Sequence, residues 1–303
     1  MNDPTQTRCP CCNAALTPGL ADWHRRCRIC GYESAALQPV INDAAAQARI
    51  DETARAQALR GLREANFRRL LGWIAQDLPP CAPDVRPRLL DVGAGQGWFV
   101  RLARQWPQMR FDVAGIEPDA AARAIAQENG TTLRAGFFPA ALVPQERFDA
   151  IVFNDSLEHL SAPGAMLGAA RAHLLPGGLV VVTLPNARGA LYRVACALRR
   201  MGLRGPFERL WQVGLPSPHL HYFDPDNLAR LAAAQGLDVI RRQRLDSLRY
   251  RGLYARIAYA RPGKTASSVL IWLALLPLAA MLRALPGDIM ALALRAVDTP
   301  PGS

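Results

Sequence analysis

The stretch RLLDVGAGQG, residues 88–97, constrains this chain more than any other. An apolar run carrying Asp91 enters three glycines, Gly93, Gly95 and Gly97, and so presents backbone almost bare of side chains. After a strand, glycines permit the positive dihedrals of a tight turn and let the N-terminus of the following helix approach a ligand closely. A second apolar segment, FDVAGIE, ends in Glu117 some twenty residues later. An acid at that place can accept hydrogen bonds from a ribose diol.

Glycine spacing and one acid leave a nicotinamide dinucleotide and S-adenosylmethionine both open, and the following segments separate them. FDAIVFNDSLEHL (148–160) reads as a buried strand running into a polar loop and a short helix. LLPGGLVVVTLPN (174–186) reads as a helix end, a Pro-Gly-Gly turn and another buried strand. With these in place the chain resembles the class I S-adenosylmethionine-dependent methyltransferases. It is most similar to a bacterial group with L-E-H after the fourth strand and H-x-H-x-F before a later helix. Here those are Leu157, Glu158, His159 and His219, His221, Phe223. The resemblance covers roughly residues 62–245 and implies an α/β, Rossmann-like sheet with helices on both faces.

It also implies residue roles. Asp91 would orient the loop or reach the methionine ammonium, while Gly93, Gly95 and Gly97 carry the methionine part of the cofactor and Glu117 takes the ribose hydroxyls. Adenine in this family usually meets an acidic or amide side chain after the third strand. This chain offers Gly136, Phe137 and Phe138 instead, so a backbone amide and an aromatic face are expected to serve. Asn154 and Asp155 would point toward the methyl group and the substrate mouth.

Methyl transfer is an in-line displacement at a sulfonium, so the enzyme mainly holds the nucleophile close and aligned. An alcohol acceptor gains from a base, and His159 beside Glu158 is the first candidate, because imidazole titrates near neutrality. The alternative is a histidine that bonds the backbone and shapes the loop. His219 and His221 alternate along an extended PSPHLHYF segment, which puts both on one face, either lining the acceptor site or serving structure.

The N-terminus lacks a basic stretch followed by an apolar one, so the expected compartment is the cytoplasm, where clustered cysteines read as metal ligands. Cys9 and Cys12 form one C-x-x-C and Cys27 and Cys30 another, with fourteen residues between them. Four thiolates are the tetrahedral soft set that zinc prefers. Cys11 is spare, and His24 is an alternative ligand. A closed four-thiolate site leaves no position for substrate, so the expected zinc is structural.

At 303 residues, half of them apolar, the chain can form one large α/β domain and a small module. The expected division is a zinc-ribbon-like module over 1–40, a helical linker over 41–80 and a methyltransferase domain over 81–303, with insertions at 187–220 and 247–286. The linker pattern predicts helix over 43–76, interrupted near Gly61, that packs on the sheet edge and joins the modules; the resemblance implies that Asn66 and Phe67 border the cofactor. The net charge of +11 would suggest an anionic partner, yet Lys264 is the only lysine, so the arginine excess is a bias of the whole chain and nucleic acid is not expected. Arg188, Arg193, Arg199, Arg200, Arg204 and Arg209 in the first insertion would suit a phosphate, pyrophosphate or carboxylate on the acceptor.

Residues 241–264 hold eight basic side chains against Asp246 alone, ahead of an uncharged apolar run from Ser267 to Leu282 that Pro277 breaks. That run is short for a membrane span, which leaves a buried helix or one lying on a membrane surface, with contact through 241–285. GDIMALALRAV then reads as the last strand of the sheet, back in the main domain. The expected activity is methylation, at oxygen, of a small-molecule or lipid-linked acceptor, glycans included. A ribosomal RNA methyltransferase and a non-catalytic cofactor-binding adaptor are the alternatives.

Overall fold

The computed structural model describes residues 7–42, 52–82, 84–247, 254, 257, 267–273 and 285–297. In chain order, β1 (Leu16–Pro18), β2 (His24–Cys27) and β3 (Glu33–Ala35) are followed by helix α1 (Glu52–Asp77). Then come β4 (Arg88–Val92), α2 (Trp98–Arg104), β5 (Asp112–Glu117), α3 (Ala120–Glu128), β6 (Arg134–Ala135), β7 (Phe148–Asn154), α4 (Pro163–Ala172) and β8 (Leu174–Pro185). The first insertion forms α5 (Ala190–Arg200) and α6 (Gly205–Leu210), and β9 (His221–Tyr222), α7 (Pro225–Ala233), β10 (Leu237–Leu245) and β11 (Ile289–Ala296) complete the fold.

Seven strands form the main sheet in the order β10-β11-β8-β7-β4-β5-β6. Only β11 runs against its neighbours, pairing antiparallel with both β10 and β8. It occupies the place where the sequence expects the last strand. Ile151, Val152 and Phe153, and Val180 and Val182, are fully buried, the near-continuous apolar pattern of strands covered on both faces. Because β4 lies between β5 and β7, its crossovers leave in opposite directions and a crevice opens at the carboxyl ends of these strands.

Two expectations shift. Helix α1 runs unbroken through Gly61, because the roughly 1 kcal/mol that a helical glycine costs is small beside the burial of Phe67, Leu70, Leu71 and Ile74 on the sheet. Strand β8 begins at Leu174 and includes the Pro-Gly-Gly segment. Pairing with β7 carries the strand through it, with a register shift near Ala150 and Gly177 at φ 75°.

The N-terminal strands continue into the main domain: the small sheet is β1-β2-β3-β9, with Glu33 opposite Tyr222 and Ser34 opposite His221. Trp23 stacks on Phe207 and meets Trp211 edge-on, and Tyr192 stacks on Tyr222 at 4.2 Å between ring centroids. Beneath them Glu33 accepts from His24 Nε2 at 2.9 Å and from the Tyr192 hydroxyl. The ribbon and the first insertion therefore share one core. Of the second insertion, residues 267–273 are helical and expose Val269, Leu270 and Leu273; most of its other residues lie outside those described. Among the described residues, no helix is long and apolar enough to cross a membrane.

Candidate active site

At the carboxyl ends of β4, β5 and β7 lies a cavity of about 1280 Å³. That exceeds the ~300–1,000 Å³ of pockets for single small ligands and leaves room for a cofactor and an acceptor together. Asp91, Gly93, Gly95, Glu117, Gly136, Phe137, Asn154 and Asp155 all line it. Gly97 does not. It precedes α2 at φ 72°, where an added Cβ would lie 2.7 Å from Thr131 Cγ2, so its role is close packing behind the loop.

The loop between β4 and α2 is organised by a carboxylate. Glu117 Oε2 accepts from the Gly95 amide at 2.7 Å and Oε1 accepts from the Asp119 amide at 2.9 Å. Each oxygen has a second lone pair, so this anchoring leaves acceptor capacity for a diol. Gly95 sits at φ 53° with open space where a Cβ would stand. Asp91 is buried and its Oδ1 has no hydrogen-bond partner. Burial first, and then the nearby Glu117, push its carboxyl up to about 8. A carboxyl left so, beside a glycine cradle, fits the ammonium group of an amino-acid cofactor such as S-adenosylmethionine.

At the other end, Asp155 follows β7 at φ 52°, a conformation that costs a non-glycine residue about 1 kcal/mol or more. It is held there by its amide, which donates to the Thr183 carbonyl at 3.0 Å and to Thr183 Oγ1 at 3.2 Å, while that hydroxyl donates to Asn154 Oδ1 at 2.7 Å. Thr183 went unnoticed in the sequence. Its signal is its register opposite Asn154 across β7 and β8.

The turn Leu157–His159 sets Glu158 and His159 into the cavity wall, with His219 facing them. His159 Nδ1–H donates to the Pro218 carbonyl at 2.8 Å, which makes Nε2 the basic nitrogen, 3.9 Å from Glu158 Oε1. His219 Nε2 lies 4.0 Å from the same oxygen and accepts from Gln212 at 2.8 Å. Burial, and then the charge of Asp155, raise the Glu158 carboxyl well above its ordinary range. The ligand atoms of Glu158, His159 and His219 lie within 4.8 Å of one another, so the group could also hold a cation. Gln212, at φ 54°, is a second residue that the sequence did not single out.

His221 departs from its neighbours. It lies outside the cavity lining, accepts from the Tyr32 hydroxyl at 2.5 Å through Nδ1 and donates from Nε2 to the Leu160 carbonyl at 2.9 Å. Burial lowers it to about 4, so it stays neutral. Strand β9 begins at His221, and the two histidines differ in their partners: His219 lines the cavity, whereas His221 is taken up by Tyr32 and the Leu160 carbonyl. Phe67 lines the cavity, but Asn66 does not: its side chain exchanges two hydrogen bonds with the Asp246 backbone.

Gln212, Leu215, Pro216 and Ser217 of the first insertion wall the acceptor end, whereas none of the insertion's six arginines singled out in the sequence lines the cavity. Arg188 instead pairs with Asp224 and Asp226. Some distance along the chain, the sulfurs of Cys9, Cys12, Cys27 and Cys30 lie within 4.8 Å of one another, with Cys9–Cys30 at 3.4 Å and Cys12–Cys27 at 3.5 Å. Zn–S bonds of about 2.3 Å in a tetrahedron require sulfurs ~3.8 Å apart, so the set fits zinc. Cys11 is not part of it, and His24 is occupied by Glu33 and by the Leu20 amide.

A sequence profile described as a methyltransferase domain matches residues 62–242. The chain belongs to that family, and its fold and cofactor are those of the class I S-adenosylmethionine-dependent methyltransferases. It is 29% identical over 176 residues to the ubiquinone biosynthesis O-methyltransferase of Cereibacter sphaeroides, covering 55% of this chain and 67% of that enzyme. Against the Bradyrhizobium enzyme of the same name it is 32% identical over 119 residues, covering 36% and 44%. The matched regions thus span between 44% and 67% of these relatives. A solved methyltransferase from Archaeoglobus fulgidus shares the fold, with a TM-score of 0.52 at 16% identity over 81% of this chain and 100% of that one.

An ammonium received by Asp91 should give cofactor binding a pH dependence. Below about 8 the ligand-free carboxyl keeps its proton, and pairing with an ammonium requires that it leave. Affinity for S-adenosylhomocysteine should therefore rise by up to ~tenfold per pH unit between about 6 and 8, with proton release, and Asp91→Asn should weaken binding and flatten the slope. Calorimetric titration in buffers of different ionisation enthalpy measures both; binding by the unaltered protein that takes up no pH dependence would remove Asp91 from the role.

Proposed function

We propose that this protein transfers a methyl group from S-adenosylmethionine to a hydroxyl of a small-molecule or lipid-linked acceptor, with His159 as the base. The observation that carries the reading is the meeting, in one cavity, of the glycine loop with its two acids and the Glu158–His159–His219 group. The names of the relatives, O-methyltransferases of ubiquinone biosynthesis, support oxygen as the accepting atom.

When bound, the cofactor supplies an electrophilic methyl group. The chain's own residues do the rest. Asp91 and the Gly93–Gly95 backbone hold the amino-acid end, Glu117 the ribose, and Gly136 with Phe137 the adenine edge; Asn154 and Asp155 shape the passage between cofactor and acceptor. His159 Nε2 takes the acceptor's proton while Nδ1–H stays on Pro218, and Glu158 stabilises the imidazolium that forms. His219, fixed by Gln212, closes the acceptor side. Replacing His159 with Ala should lower kcat by roughly 10²–10⁴-fold with little change in cofactor affinity. A variant whose turnover stays near normal would make His159 a loop-shaping residue.

Zinc on Cys9, Cys12, Cys27 and Cys30 would hold the ribbon together, since so small a sheet buries little of its own. Elemental analysis should find about one zinc per chain, and Cys27→Ser should lose it. Because the ribbon shares its core with the first insertion, the same change should also lower the melting temperature of the whole molecule. Metal-free protein with an intact melting transition would refute the assignment.

Contact with an anionic membrane through 241–285 would bring the cavity to a lipid-linked acceptor. The exposed Val269, Leu270 and Leu273 support it. Arg241 and Arg242 are engaged with Asp77 and Asp226, so the charge would come from the rest of the stretch, at about 1 kcal/mol for each basic residue near the surface. Sedimentation with anionic vesicles should show binding at low salt that is lost at high salt; no binding at low salt would leave the apolar run to a contact within protein.

A further inference from the structure

The segment that leaves the ribbon crosses the cavity mouth before the chain reaches α1. It departs from the ribbon side, where the Ala36 amide donates to the Trp23 carbonyl at 2.8 Å, and touches the acceptor wall, where the Val40 amide donates to the Pro216 carbonyl at 2.8 Å. It ends on the ribose side. There Asn42 Oδ1 accepts from the Ala120 amide at 2.8 Å and its Nδ2 donates to the Pro118 carbonyl at 3.3 Å. Between these anchors Gln38, Pro39 and Ile41 line the cavity, while Val40 is 42% exposed on the outer side.

The residues clasped by Asn42 directly follow Glu117. The Ala120 amide belongs to the first turn of α3, where donors lack partners within the helix, and Asn42 supplies one from outside. It does so at φ 64°, in the left-handed region that asparagine tolerates better than most residues. A clasp of this kind adds neither to the sheets nor to the apolar core clusters, none of which includes Asn42. It joins the ribbon's exit to the turn beside the ribose-binding acid.

From this we infer that residues 38–42 are part of the cofactor site: a strap whose Gln38, Pro39 and Ile41 contact the adenosine half of S-adenosylmethionine and slow its release, held down by Asn42. The ribbon thereby acquires a role in cofactor retention. This inference rests on the cofactor assignment above, and the test is built so that the two fail differently.

Release and affinity of S-adenosylhomocysteine would be measured by stopped-flow fluorescence and calorimetry on the full chain, with melting temperature and zinc content recorded alongside. Asn42→Gly removes the clasp without straining a left-handed residue, and with two hydrogen bonds lost it should speed release roughly tenfold. Asn42→Asp keeps the bond to the Ala120 amide and places a negative charge at the start of α3, so it should stay within about twofold of the unaltered protein. Ile41→Ala, which spares both anchors, should weaken binding several-fold. Gly95→Val is the control that abolishes binding if the cofactor lies where proposed. If Gly95→Val abolishes binding while Asn42→Gly and Ile41→Ala behave like the unaltered protein, the strap is overturned. If the unaltered protein and Gly95→Val bind alike, the cofactor assignment falls and the strap with it. Should Asn42→Gly fail to fold, Ile41→Ala decides alone.

Discussion

Two residue pairs, Glu33 with Tyr222 and Ser34 with His221, join the N-terminal ribbon to β9 and so to the methyltransferase domain. Much of the cavity's outer half depends on it. The pairing brings Tyr32 to His221, and His221 in turn holds the Leu160 carbonyl beside the Leu157–His159 turn. It also aims the chain leaving β3 across the cavity mouth. So short a ladder would be weak alone; the rings of Trp23, Tyr192, Phe207, Trp211 and Tyr222 around it supply the burial, with aromatic contacts adding about 0.5–1.5 kcal/mol each beyond area.

Three buried carboxyls surround the cavity, and each meets the cost of burial differently. Glu117 is satisfied by two backbone amides and fixes the glycine loop even without a ligand. Asp91 keeps an oxygen without a partner, and neither oxygen of Glu158 has a hydrogen bond among the described residues. Burial pushes all three upward, and at Glu117 hydrogen bonds from two backbone amides oppose it. A protein selected for stability alone would have replaced or paired Asp91 and Glu158. A buried carboxyl held this way is suited to giving up its proton when a cation arrives beside it: on the proposed reading, an ammonium at Asp91 and the His159 imidazolium at Glu158.

The outer walls are built from the parts of the chain that sequence patterns describe least. The first insertion contributes Gln212 and an apolar edge rather than its arginines. That edge suits an acceptor recognised by shape and apolar contact around a reacting hydroxyl more than one recognised through phosphate. The same insertion serves as the ribbon's docking face, so acceptor wall and ribbon form one packed unit.

The sequence by itself determined the sheet, the loop RLLDVGAGQG with Glu117, the cluster of four cysteines and the return strand Ile289–Ala296. These features are written in short-range spacing: apolar runs at strand period, glycines where backbone turns positive, thiols three apart. Tertiary structure alone decided that His219 faces the cavity while His221, two residues on, is withdrawn to Tyr32. It likewise recruited Thr183, Gln212 and the strap at Asn42, carried α1 through Gly61 and turned the insertion's arginines away. Apart from Gln212, which reaches His219 seven residues on, these depend on contacts between segments tens to hundreds of residues apart, such as Tyr32 with His221 or Asn42 with Ala120. Spacing along the chain fixes which face a side chain takes on its own strand or helix, but only packing fixes what that face meets.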